Sequence, residues 1–288
     1  MNQSDSASVV RFTRPPYPHE GGSVPIYQVI DEVLDDWHEV AFRDEMIPVY
    51  WNQDTPYNWH IQNLANCPYW SYVPTGCGAT AVAQIMAYWE NPLYVDNQLV
   101  DWDSLTENLR ITQYDTIRGN KVAALMKEVC IGCNTIFGCG DSGTEFESLA
   151  SYLETIGFNV GNIQSYSSSD IYQSLLCSRP VLITGFNCNQ VGHVWNIDGY
   201  QRKAKTVRTK TYIYDEMLDG FRLISTVDHT YYSTLFHYNW GWDGNRNGWF
   251  AENCFDKTTG IMHPTRSTNE GSYEYDVEIV TNIYPNNN

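Results

Sequence analysis

The run Gly76-Cys77-Gly78-Ala79-Thr80-Ala81-Val82-Ala83-Gln84-Ile85-Met86-Ala87-Tyr88-Trp89 reads as a helix with almost no polar face. A helix that is apolar all round must be enclosed by protein, so any fold for this chain has to build a core around it. Cys77 stands at its first turn, where free N–H groups and the positive end of the helix dipole favour a thiolate over a thiol. Gly76 and Gly78 leave the sulfur open to an approaching carbonyl. A cysteine placed this way reads as a nucleophile rather than a core filler.

The 288 residues, 42% hydrophobic and 18% charged, suffice for a core in one large or two modest domains and exclude global disorder. Aromatic residues reach 14%, which points to β-rich structure with aromatic-lined surfaces. A net charge of −17 lacks the basic footprint that nucleic acid requires, and the same sign disfavours anionic membranes. No apolar run is long enough to span a bilayer, and no basic-then-apolar signal segment opens the chain. Met1-Asn2-Gln3-Ser4-Asp5-Ser6 reads as a start left by truncation, with a natural cytosolic start as the alternative. Besides Cys77 there are Cys67, Cys130, Cys133, Cys139, Cys177, Cys188 and Cys254, an odd set that cannot all pair within one chain. Cys130, Cys133 and Cys139 are spaced like zinc ligands, but no fourth ligand is evident nearby. Ordinary thiols are the reading, with a disulfide as the alternative and no metal expected.

The first 26 residues, rich in proline and glycine, read as an irregular arm. From Tyr27 to Phe42 the residues Val29, Ile30, Val33, Leu34, Trp37 and Val40 fall on one stripe, with Asp31, Glu32, Asp35 and Asp36 opposite. That pattern predicts an amphipathic helix docked on the main domain. The division expected is residues 1–46 as arm and helix and 47–288 as the main domain. Further helices are expected over Lys121 to Cys130, Thr144 to Ile156 and Ser169 to Cys177. After Pro180 the period changes, and strands are expected at 181–185, 193–199, 211–214, 221–227, 231–239 and 248–250. Helices first and strands later make an α+β fold, with the nucleophile helix packed on an antiparallel sheet.

A cysteine nucleophile needs a base, a group that orients the base, and donors for the oxyanion. His193, after Gly192, supplies the base; Gly192 leaves room for substrate. Asn239 can accept the imidazole N–H and fix the tautomer, and Trp240 can shield that bond from water. Gln53 can donate to the oxyanion beside the Cys77 N–H.

The combined pattern resembles the streptopain family of papain-like cysteine peptidases. It is carried by Trp51-Asn52-Gln53 with Pro56-Tyr57-Asn58, Cys67-Pro68, the Gly76–Trp89 run, and Phe137-Gly138 with Ser142-Gly143. Gly192-His193-Val194, Ile197-Asp198-Gly199-Tyr200 and Tyr238-Asn239-Trp240-Gly241-Trp242 with Gly244 follow in order, over roughly 47 to 255. The resemblance implies a two-lobed papain-like fold, a helical lobe with Cys77 and a β lobe with His193, and an extended peptide in the cleft between them. It implies endopeptidase activity through a thioester acyl-enzyme without a cofactor, with Cys77, His193, Asn239 and Gln53 catalytic. Trp242, Trp240, Ser142, Gly143 and Gly192 would meet substrate, Trp242 lining a pocket for a bulky apolar residue two positions before the cut. It also implies export from a bacterium as a zymogen with an inhibitory N-terminal pro-segment, of which the 27–42 helix would be a remnant or else part of the mature enzyme. The 201–237 connection is longer than the family archetype, and Cys139 falls in the expected substrate-facing loop. An acyltransferase using the same nucleophile, or a silent peptide-binding relative, are the alternatives; the intact four-residue set argues against the second.

Overall fold

The apolar run does form an enclosed helix: Cys77–Trp89 is helical, and Gly78 through Ala87 are buried. The computed structural model describes residues 9–13, 26–68, 71–256 and 272–286; of the arm expected over the first 26 residues, Val9–Thr13 is instead a strand paired antiparallel with residues 27–31, while 1–8, 14–25 and the last two residues of the polar tail lie outside the described residues. The strands begin with β1 (Val9–Thr13), β2 (Tyr27–Arg43), β3 (Tyr94–Val95), β4 (Gln98–Leu99), β5 (Ile136–Phe137), β6 (Ser142–Gly143) and β7 (Phe158–Asn159). They continue with β8 (Ile163–Ser165), β9 (Val181–Phe186), β10 (Gly192–Asp215), β11 (Gly220–Asn239), β12 (Gly248–Ala251), β13 (Tyr275–Val280) and β14 (Tyr284–Pro285). The helices are α1 (Cys77–Trp89), α2 (Trp102–Thr106), α3 (Thr116–Gly132), α4 (Phe146–Thr155) and α5 (Ser168–Leu176). None of the described helices is long and apolar enough to cross a membrane.

The chain divides into two compact units, Met1–Phe42 with Gln201–Thr234, and Arg43–Tyr200 with Leu235–Asn288. The second unit carries the expected α+β architecture. Around α1, Val82, Ile85 and Met86 share a core with Trp51, Val122, Met126, Leu149 and Leu153. Asp115 and Ser167 cap α3 and α5, their side chains accepting the N–H of Arg118 and Asp170. In the antiparallel sheet β9 lies between β10 and β13, with His193 opposite Gly185 and Ile279 opposite Ile183. Beyond β13 comes β8, Val280 facing Ile163. The last residues of β11 pair with β12, Tyr238 facing Gly248.

The first unit corrects the sequence reading. The helix expected over Tyr27 to Phe42 is instead the long strand β2. Val29, Ile30, Val33 and Val40 are β-branched, stiff at χ1 and suited to a pleated surface. Two of the acidic residues that made the polar face of a helix, Asp31 and Glu32, find partners on neighbouring strands, while Asp35 pairs with His38 of the same strand. Asp31 accepts from Thr209 Oγ1 at 2.7 Å and pairs with Arg11, and Glu32 meets Lys210 at 2.9 Å. The connection after Gln201 is the outer part of β10 and β11, held by a two-pronged Arg208–Asp228 pair at 2.7 and 2.8 Å. Two long strands thus replace the several short ones expected, and residues of the N-terminal segment and of the long connection belong to one unit.

Ordinary thiols fail as the reading for one cysteine pair: Cys67 and Cys139, 72 residues apart, form a disulfide with Cα atoms 5.5 Å apart. Sequence spacing conceals this because the loop after α3 folds back beside the segment that leads into α1. Cys130, Cys133 and Cys254 are buried thiols, and Cys177 and Cys188 are exposed.

Candidate active site

Cys77 is the first residue of α1 and half-buried. Several contacts hold the chain's entry into the helix. Thr75 donates its N–H to the Gln53 carbonyl at 3.0 Å, and its hydroxyl meets that of Thr80 at 2.9 Å. The Cys130 thiol donates to the Thr75 carbonyl at 3.4 Å; burial pushes its pKa up to about 12, so it keeps that proton at neutral pH. The two glycines also serve the packing around α1. Gly76 has φ +85°, and a Cβ there would sit 2.8 Å from the Ser142 carbonyl oxygen. At Gly78 a Cβ would strike the Leu149 side chain at 2.9 Å. They admit the close packing of α1 on its neighbours.

Burial pushes the Cys77 thiol up, and the N–H groups of Val194 and Gly78 act against it. The nearby Asp141 carboxylate raises it further. Val194 directly follows His193 on β10. Cys77 and His193 line the same cleft, with a volume of about 880 Å³. The imidazole is buried, with Nε2 3.0 Å from the Trp240 carbonyl oxygen. A carbonyl only accepts, so Nε2 carries a hydrogen, which leaves the base role to Nδ1. Trp242 stacks on the imidazole at 4.3 Å between centroids, with Tyr273 at 5.2 Å.

Asn239 departs from its expected role. Its Oδ1 accepts from Gln84 Nε2 at 3.2 Å and the Gly241 N–H at 3.3 Å, while Nδ2 donates to the Val49 carbonyl at 3.0 Å. The orienting acceptor for His193 is the next residue's carbonyl, because Asn239 is turned toward α1. Gln84 also donates to the Trp51 carbonyl and accepts from Asn196 Nδ2, each at 3.0 Å. Gln84, Asn196 and Asn239 therefore stitch α1 to β10 and β11. Gln84 lies within the helix motif, but nothing in its spacing singles it out. Trp240 is fully buried and does not line the cleft, so it supports His193 from behind and is not a substrate-binding residue. Arg110, also missed, grips the turn after Trp242, donating to the Asp243 carbonyl at 2.7 and 2.9 Å. Gln53, Ser142, Gly143, Gly192 and Trp242 all line the cleft, as do Asp141, Phe186, Val191 and Tyr273.

A helix-borne cysteine beside a strand-borne histidine, in an α+β unit of this topology, defines a papain-like cysteine peptidase. The chain belongs to the Peptidase C10 family, whose model matches residues 51–250; the resemblance to streptopain holds. Among curated proteins it is similar to the thiol protease/hemagglutinin PrtT of Porphyromonas gingivalis, at 24% identity over 249 residues. That match covers 84% of this chain and 27% of PrtT, so the chain spans about a quarter of that relative's length. Among solved structures, active interpain A cysteine protease of Prevotella intermedia superposes with a TM-score of 0.59 at 19% identity, covering 85% of this chain and 96% of that one. A fragment of its precursor, prointerpain A, gives a TM-score of 0.56 at 18% identity, covering 87% of this chain and 76% of the fragment.

Proposed function

We propose that this protein is an endopeptidase that cuts extended peptides through a thioester on Cys77. The carrying observation is that Cys77 and His193 share one cleft, with the Trp240 carbonyl on Nε2 of the imidazole. His193 takes the thiol proton at Nδ1 as the sulfur attacks the scissile carbonyl. The oxyanion meets the Cys77 backbone N–H, which has no partner within the helix, and the Gln53 side-chain amide. His193 then protonates the leaving amine, and water, with His193 as base, releases the acid and restores the thiol.

The residue two positions before the cut packs against Phe186, Val191 and Tyr273, with Trp242 as the wall over the imidazole. Burying Leu or Phe there is worth about 1.5–3 kcal/mol. Fluorogenic peptides that vary only at that position test this: Leu is expected to exceed Gly about ten- to a hundredfold in kcat/KM, and indifference removes the pocket. Export from a bacterial cell is the setting that fits the Cys67–Cys139 bond, since disulfides persist in oxidising compartments. The likeness to prointerpain A supports synthesis as a precursor with an inhibitory N-terminal segment. A peptide-library digest is the broader test. Cleavage by the native chain and none by Cys77→Ala is expected; equal cleavage by both refutes the nucleophile.

A further inference from the structure

The Cys67–Cys139 disulfide lies outside the groups that do the chemistry, yet it grips the cleft. Cys139 is in the turn between β5 and β6, and Ile136, Phe137, Gly138, Asp141, Ser142 and Gly143 from this hairpin line the cleft. That wall is small: Ser142 packs on Gly76 and Phe137 on the core, and the Thr135 and Thr144 hydroxyls meet at 2.9 Å across its base. Its ladder pairs Ile136 with Gly143 and Phe137 with Ser142, and the Gly138 N–H donates to Ser142 Oγ at 3.3 Å. So short a hairpin is marginal in water without further support, and Ile136 is 72% exposed. Two ties run from the turn to the segment leading into Cys77: the disulfide at Cys67, and the Gly140 N–H donating to the Tyr72 carbonyl at 2.8 Å. Cys77 itself is held separately, as the first residue of α1, whose following residues are buried in the core.

We propose that the Cys67–Cys139 disulfide is a positioning element for substrate, holding the 136–143 wall at the separation from α1 that an extended peptide needs. It sets peptide affinity and leaves the intrinsic reactivity of the Cys77 thiolate alone. The kinetic side of this inference rests on the peptidase reading. Closing a long loop at this point removes many wall conformations at once.

The test compares the native chain, its bond confirmed by mass spectrometry of a non-reduced digest, with the Cys67→Ser/Cys139→Ser double variant. KM for a peptide spanning the wall is expected to rise about tenfold, equivalent to about 1.4 kcal/mol. kcat should stay within about twofold, as for a loss of uniform binding, and iodoacetamide should alkylate Cys77 at an unchanged limiting rate on the high-pH plateau, where the thiol is fully ionised and the position of Asp141 on the same wall no longer sets the thiolate fraction. Amide exchange should quicken across 136–143 while α1 stays protected. A fall in kcat at constant KM, or unchanged exchange across 136–143, overturns the proposal. If the native chain cleaves no peptide, the peptidase reading fails by itself, and exchange still decides the wall. If the double variant does not fold, the exchange is read on the native chain treated with a phosphine. The phosphine takes an oxygen from water to become its oxide and delivers two electrons and two protons, leaving Cys67 and Cys139 as thiols. Faster exchange across 136–143 supports the proposal, and unchanged exchange again overturns it.

Discussion

Opposing influences act on the Cys77 sulfur: burial and Asp141 favour the thiol, while the N–H groups of Val194 and Gly78 favour the thiolate. Replacing Asp141 with Asn removes a negative charge and lowers the thiol pKa. The acid limb of kcat/KM, and of iodoacetamide alkylation, should therefore move to lower pH. Because Asp141 is exposed, that displacement should shrink in high salt; a limb that stays put removes Asp141 from the electrostatics of the site. Asn239 gives a second case. An orienting partner of His193 would lose rate on truncation, but here the side chain ties Gln84, Gly241 and Val49 together. Asn239→Ala should cost about 1–3 kcal/mol of stability by urea denaturation, with kcat falling less than tenfold once the variant is folded. A large kcat loss at unchanged stability would restore the direct role. That Cys77, His193, Gln53 and Trp242 come to one cleft was legible because each sits in a local motif. That the acceptor for His193 is a backbone carbonyl was not, since every residue carries one.

At the scale of elements, apolar periodicity with its glycine and proline stops located α3, α4, α5 and β9 to within a few residues. It failed at β2, where a valine-rich stripe satisfies the helical and the extended pattern alike, and cross-strand partners far along the chain decide. A buried cluster also joins elements. His237 on β11 lies between Asp198 on β10 at 2.7 Å and Glu45 at 3.1 Å, and Asp198 accepts the Ile47 N–H at 3.0 Å. Burial alone would lower the imidazole pKa, but the Asp198 bond and the charges of Asp198, Glu45 and Asp44 outweigh it and raise it. A raised histidine stabilises the fold fully below its ordinary value of 6.5 and loses that contribution as pH climbs through the native value. Melting temperature should accordingly drop across this interval above 6.5 in the native chain. In His237→Gln the drop should be smaller; parallel curves would exclude the coupling.

Over the whole molecule, the α+β class was readable from the order of helices and strands, whereas the two-unit division was not. Gln201–Thr234 joins Met1–Phe42 through strand pairing, which leaves no mark in either segment alone. The disulfide was hidden for the same reason, its partners being 72 residues apart. The surplus of acid over base, 34 Asp and Glu against 17 Lys and Arg, colours the whole surface but does not define the site. The central claim, that Cys77 attacks peptide carbonyls with help from His193, is tested most directly by mass spectrometry of the trapped enzyme. A peptidyl epoxide with Leu at the second position should add one equivalent, mapped to Cys77, with competition by a peptide substrate. Labelling should vanish in Cys77→Ala and slow at least a hundredfold in His193→Ala. Label on another cysteine, or undiminished labelling without His193, would contradict the account.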